Sequence, residues 1–331
     1  MFDVLMRRAR NGDHAGGGGS APPAAERPSV ALALGSGAAR GFAHIGVLRT
    51  LAAKGIKPDI IVGTSIGAVA GGCYAGGSLD TLEDWARRLT VRGVLGYLDV
   101  SLSGSGLIGG NRLAQRLEAA LGKTLIEDLP IRFAAIATEV KTGHEIWLTH
   151  GRLVEALRAS YALPGIFPPV RIGGRWLVDG ALVNPVPVSA ARALGARVVI
   201  AVNLNADQFG RGITIVNHGS DDSDDQRTEE PPKRQNPIGA FFSPERALKR
   251  QFIGGVGRPG LSTVMVDAFN VMQDRITRSR LAGDPPDVSI NPRLGRVGWF
   301  DFHRAEEAIR LGSEAAEKAC ETIHEAIATL A

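Results

Sequence analysis

Two short apolar runs, SVALALG at 29–35 and DIIVG at 59–63, each end on glycine and lead straight into a helical pattern. A buried strand that turns at once into a helix belongs to a strand–helix–strand unit, and such units build parallel sheets covered on both faces. After the first run, Phe42, Ile45, Leu48 and Leu51 recur at three-residue spacing until Lys54-Gly55 ends the pattern. After the second, 65–76 reads as a helix of small residues closed by Gly76-Gly77. Strands are predicted at 132–140, 145–150, 175–180 and 197–204, and helices at 153–160 and 188–195. Helices follow around 260–280 and 301–329, with a strand-like DVSINP between them. The expected fold class is α/β: a mostly parallel central sheet with helices on both faces, in three layers. Glycine is abundant, at 42 of 331 residues, and aromatics are only 5%, which suits close helix–sheet packing and backbone-lined sites.

Three stretches depart from the alternation. Residues 1–28 pass through GGGGSAPPAAERP and are expected to be a disordered tail. HGSDDSDDQRTEEPPKRQNP at 218–237 is polar, acidic and proline-containing, and is expected to be a disordered insert in a domain spanning 29–331. IGAFFSPERALKRQFIGGV at 238–256 mixes Phe241, Phe242, Leu248, Phe252 and Ile253 with Arg246, Lys249 and Arg250. Such a segment suits either an anionic membrane surface or a core-docking helix. No apolar run approaches the roughly 20 residues of a membrane span, and MFDVLMRRARNGDH lacks a secretory h-region. A cytoplasmic protein is therefore expected, with room for peripheral contact at a membrane surface. A net charge of +4 is mild for this length and does not indicate nucleic-acid binding. Two cysteines, Cys73 and Cys320, exclude a disulfide framework and read as free core thiols. Cysteine and histidine show no metal-ligand spacing, and nothing demands a cofactor.

Gly63-Thr64-Ser65-Ile66-Gly67 follows the second strand. A serine between two glycines is a tight turn or a nucleophile elbow, where a strand turns sharply into a helix and lifts the hydroxyl out of the backbone. The strand before it and the small-residue helix after it favour the elbow. The helix dipole would then favour negative charge at Ser65. GSGAARG at 35–41 also joins a strand end to a helix. Its small residues leave the N–H groups of Ser36, Gly37 and Ala38 uncovered, a row of donors for an oxyanion. It is not a dinucleotide fingerprint, because Arg40 stands where that motif needs glycine. Asp179 ends the apolar run RWLVD and precedes Gly180 and Ala181. A carboxylate at a buried strand end is costly unless it has a partner or a task, although Asp-Gly turns are common.

In this order, GSGAARG, GTSIG and DGA resemble the patatin-like phospholipase family, in its bacterial single-domain branch. ASYALPGIFPP at 159–169 is similar to the family's segment between serine and aspartate, and 285–309 to the branch's C-terminal part. The resemblance implies a patatin-like catalytic domain that hydrolyses lipid or lysolipid esters. It implies Ser65 as nucleophile and Asp179 as base, without histidine. Ser36, Gly37 and Ala38 would form the oxyanion hole, helped by Arg40. An aspartate is a poor base at its ordinary pKa near 3.9, so burial must raise it. Two rivals stand beside this reading. A Ser–Asp–His triad would draw on His218, His303 or His324, of which His303 is the best placed. A non-catalytic membrane scaffold would keep the fold alone. Ser160, Pro164 and Phe167 read as turn-shaping residues beside the site, and His44 as a packed or capping histidine. Lipid class and oligomeric state are left open.

Overall fold

The computed structural model describes residues 27–90, 111–207, 254–255, 258–259 and 261–330. The expectations for the N-terminal tail, the acidic insert and the amphipathic segment fall almost wholly outside these residues.

The strands are β1 (Val30–Leu34), β2 (Ile60–Thr64), β3 (Arg132–Glu139), β4 (Glu145–Leu148), β5 (Val170–Ile172), β6 (Arg175–Asp179), β7 (Val198–Val202), β8 (Gly254–Gly255), β9 (Arg258–Pro259) and β10 (Val288–Ile290). The helices are α1 (Ala43–Ala53), α2 (Ile66–Ala75), α3 (Leu79–Arg87), α4 (Asn111–Leu121), α5 (Leu153–Ser160), α6 (Val188–Ala193), α7 (Leu261–Gly283) and α8 (Ala305–Leu330). The main sheet runs β10-β7-β1-β2-β3-β6-β5, with β4 paired to β3, while among the described residues β8 and β9 pair with each other. The first five strands of that order are mutually parallel. β4, β5 and β6 pair antiparallel.

β1, β2 and β7 are buried at every position, as unbroken apolar runs in a doubly covered sheet must be. Alternation along β1 divides the core. Leu32 and Leu34 face a cluster with Ile45 and Leu48 of α1, Val69 of α2 and Ile309 of α8. Ala31 and Ala33 face Val188, Ala190 and Ala191 of α6 on the other side. The small alanines let the short α6 lie close against the sheet. The result is the three-layer α/β arrangement expected from the sequence.

β3 organises the site. Ala135 pairs with Gly63 of β2 and with Leu148 of β4, so those strands lie on opposite edges of β3. Ala137 pairs with Ile146 of β4 and with Asp179 of β6, so β6 lies on the same edge as β2. β2 runs parallel to β3 and ends at Thr64 opposite Ile136, whereas β6 runs antiparallel and ends at Asp179 opposite Ala137. The two strands therefore meet tip to tip along one edge of β3. The residues at the junction are Ser65 and Asp179.

Candidate active site

Ser65 sits at φ 57°, ψ −123°, between β2 and α2. Among the described residues, only Ala38 and Ser65 combine a side chain with positive φ. Backbone strain of this kind persists only where its surroundings impose it. The flanking glycines explain how. A Cβ on Gly67 would stand 2.2 Å from the Leu34 carbonyl oxygen, and one on Gly63 would stand 2.4 Å from the Ala68 Cα. Only glycine lets α2 start this close to the end of β1. The Ser65 N–H donates to Ser160 Oγ at 2.9 Å, and Ser160 Oγ donates to the Ile136 carbonyl at 2.6 Å. The fully buried Ser160 thus bridges the elbow to β3 at the gap between β2 and β6.

Asp179 is 2% exposed. Its Oδ2 accepts from Ser65 Oγ at 2.7 Å, and its Oδ1 accepts from the Ala181 N–H at 2.8 Å. Its own N–H donates to the Ala162 carbonyl, and Thr138 Oγ1 donates to its carbonyl. A Cβ on Gly180 would stand 2.3 Å from the Ile136 carbonyl oxygen, so the residue after the aspartate must be glycine for β6 to reach this point. Burial pushes the Asp179 carboxyl up to about 7, against the opposing pull of the Ala181 and Ser65 hydrogen bonds.

The loop at 35–41 carries two corrections. The Ser36 N–H donates to the Pro185 carbonyl at 2.9 Å, so it is not free for an oxyanion. Ser36 Oγ instead donates to Gln273 Oε1 at 2.5 Å, on α7. Arg40 is 5% exposed and turns its guanidinium to the Val297 carbonyl and Asn205 Oδ1. Asn205 Nδ2 donates to the Ser36 carbonyl, so Arg40 braces the loop from behind. Burial lowers the Arg40 pKa to about 10, still well above neutrality. The Gly37 and Ala38 N–H groups meet no acceptor among the described residues. Ala38 lines the same cleft as Ser65.

That cleft is apolar. Ser65 and Asp179 share it with Phe42, Ile66, Val69, Leu163, Trp299 and Phe300, among others. Phe167 also lines it, edge-on to Tyr161 at 5.4 Å, whereas Pro164 is exposed. Among the described histidines none bonds to Ser65 or Asp179. His44 is fully buried and holds the Gly35 carbonyl at 2.7 Å, and burial lowers its pKa to about 4, so the neutral ring donates. His303 is exposed, and His324 bonds to the Cys320 carbonyl one turn back in its own helix. Cys73 and Cys320 are buried free thiols. The structure brings together the serine and the aspartate that the sequence singled out. The sequence did not reveal the bridging part of Ser160, whose only local signal is a hydroxyl at the end of a helix.

The fold is thus an α/β sheet that lifts a strained serine against a buried carboxylate in an apolar cleft. The chain belongs to the patatin-like phospholipase family, whose model matches residues 32–192. It is 33% identical over 333 residues to an uncharacterized NTE family protein of Mycobacterium tuberculosis, covering 89% of this chain and 92% of that protein. It is 35% identical over 185 residues to the patatin-like phospholipase domain-containing protein 7 of Rattus norvegicus, covering 54% of this chain and 14% of the rat protein. The solved structure of VipD from Legionella pneumophila aligns with a TM-score of 0.46 at 13% identity, over 89% of this chain and 67% of VipD. Membership in the family implies lipid acyl hydrolysis, a carboxylic ester hydrolase chemistry. No helix among the described residues is long and apolar enough to cross a membrane.

Proposed function

We propose that the protein hydrolyses carboxylic esters of lipids through a Ser65–Asp179 dyad and an acyl-enzyme. The observation that carries this reading is the 2.7 Å hydrogen bond from Ser65 Oγ to the buried Asp179 in an apolar cleft. Ser65 Oγ attacks the ester carbonyl as its proton passes to Asp179 Oδ2. The oxygen gains negative charge beside the free N–H groups of Gly37 and Ala38, with the positive end of the α2 dipole nearby. The tetrahedral centre collapses, its bond to the leaving alkoxide breaks, and Asp179 returns the proton to that oxygen. Water then attacks the acyl-Ser65 ester, giving its proton to Asp179. The second collapse frees the fatty acid and restores the Ser65 hydroxyl. A carboxyl raised to about 7 by burial suits both directions of this transfer near neutral pH.

The lining fits an acyl chain rather than a polar substrate, because burying methylenes against it supplies binding energy. Peripheral membrane contact belongs to the same reading. Phe300, a cleft residue, is 47% exposed, and α7 exposes Val264, Met265, Val271 and Met272 at 45–49%. Met265 approaches Gly165, next to Ile166 of the cleft, so this apolar rim is continuous with the mouth. The test is release of free fatty acid from a panel of phospholipids, lysophospholipids and neutral glycerides, read by mass spectrometry. Release that depends on Ser65 is expected, with Ser65→Ala as the silent control. Equal release by Ser65→Ala, or none on any lipid, overturns the reading.

A further inference from the structure

We propose that Trp85, together with Leu89 and Leu113, forms the wall that sets the length of acyl chain the cleft accepts. This rests on the ester-hydrolase reading and concerns where the chain lies.

α2 gives the direction. Ser65, Val69 and Cys73 follow one another at four-residue spacing and so lie along one face of that helix. Ser65 and Val69 line the active-site cleft, whereas Cys73 lines a second cavity. At the rise of an α-helix, Cys73 lies about 12 Å beyond Ser65 along the axis. A chain attached to Ser65 Oγ and laid along α2 would therefore run from the first cavity toward the second. Trp85, Leu89 and Leu113 line both cavities, which makes them the partition.

The partition is anchored. Trp85 stands edge-on to Phe42, with ring centroids 6.0 Å apart and planes at 79°. Phe42 is 1% exposed and follows directly on the loop that carries Gly37 and Ala38. An aromatic ring held this way costs more to displace than a lone side chain on a surface. The wall also joins two helices, since Trp85 belongs to α3 and Leu113 to α4. Each methylene added to a chain that still fits should raise kcat/KM roughly fourfold, and the gain should stop where the terminal methyl meets the wall.

The experiment is kcat/KM for p-nitrophenyl esters from butyrate through octanoate to palmitate. The wild-type protein should show a rise and then a break. In Trp85→Ala and in Leu113→Ala the break should move to longer chains, with the palmitate-to-butyrate ratio rising at least about tenfold. Trp85→Phe, which keeps a ring against Phe42, should move it least. Leu113 is only half-buried, so its truncation keeps the test open if Trp85→Ala fails to fold. Hydrolysis with an unmoved break in a folded Leu113→Ala protein overturns the wall. So does a break that moves only in Phe300→Ala, which would send the chain outward over the mouth. A wild-type protein that neither hydrolyses any of these esters nor reacts with a fluorophosphonate overturns the hydrolase reading, and the wall with it.

Discussion

Ser65 and Asp179 stand 114 residues apart in the chain, yet their side chains meet at 2.7 Å because β2 and β6 end against each other on one edge of β3. The separation of the pair is fixed by two consecutive residues of β3, Ile136 and Ala137, rather than by any loop. A rigid strand is a better ruler than a loop for a contact that must be held to a few tenths of an ångström.

The first prediction is a pH profile. On the proposed dyad Asp179 must be ionised to accept the Ser65 proton, and its carboxyl is raised to about 7. Acylation by a fluorophosphonate should therefore rise with pH and level off above about pH 7. Asp179→Asn should lose acylation by orders of magnitude across the range, since an amide cannot take the proton. A wild-type rate that is flat between about pH 5 and about pH 9 would defeat the assignment.

The same shift predicts a stability trade-off. A buried aspartate raised from 3.8 to about 7 keeps its proton longer in the folded state than in the unfolded one. The folded state then binds more protons between those values, so its stability is greatest below the unfolded pKa and falls as pH rises toward about 7. The full loss is at most about 4 kcal/mol. Asn carries no such penalty. The Tm of Asp179→Asn minus that of the wild type should widen by several degrees from about pH 5 to about pH 8. An unchanging difference would mean that the carboxyl titrates near its ordinary value.

Ser160 is expected to act on the elbow. Ser160→Ala leaves the Ser65 N–H and the Ile136 carbonyl without their shared partner, inside the core. Acylation should fall roughly 10- to 100-fold, because the strained backbone at Ser65 loses one of its restraints. KM should change little, since Ser160 does not line the cleft. A change in KM alone, with kcat intact, would contradict this role.

The loop at 35–41 should separate stability from turnover. Ser36→Ala strands the buried Gln273 Oε1, at a cost of about 1–3 kcal/mol read by denaturant melts. Acylation should stay within about threefold, because neither the Ser36 amide nor its hydroxyl faces the reacting carbonyl. Gly37→Val should cost on the order of 10²-fold in turnover. A Cβ there would meet Leu204 Cδ1 at 2.8 Å and Leu204 Cβ at 3.1 Å, so either Leu204 or the loop must give, and the branched side chain would stand beside the free N–H groups. Equal losses of turnover in the two variants would return Ser36 to the chemistry.

What was legible in the sequence follows from what is local. Gly63 and Gly67 flank Ser65 at fixed spacing because the elbow is a short-range geometry, and so the elbow could be read from five residues. The parallel half of the sheet was legible because β1, β2 and β7 are unbroken apolar runs. The fate of the Ser36 amide was not, because its acceptor, Pro185, arrives from far along the chain. Arg40 misled for the same reason, since Asn205 and Val297 are distant partners. Strand direction leaves no trace in periodicity, so the reversal at β6 was invisible although the strand itself was found. α3 could have been read from Leu79, Leu82 and Ala86, which are buried at helical spacing, but it carries no motif to draw the eye.

The tip-to-tip meeting of β2 and β6 also bears on synthesis. A chain that has left the ribosome only as far as β4 already holds the serine, the glycine loop and the first parallel strands. On the proposed dyad it has no base, because Asp179 is still to come. By the same proposal, even a fully made chain does not activate Ser65 until β6 has docked antiparallel on β3, a long-range pairing that forms slowly. On the dyad reading, lipolytic capacity switches on only once β6 has docked on β3, so a nascent or half-folded chain passes through the cell without a live nucleophile.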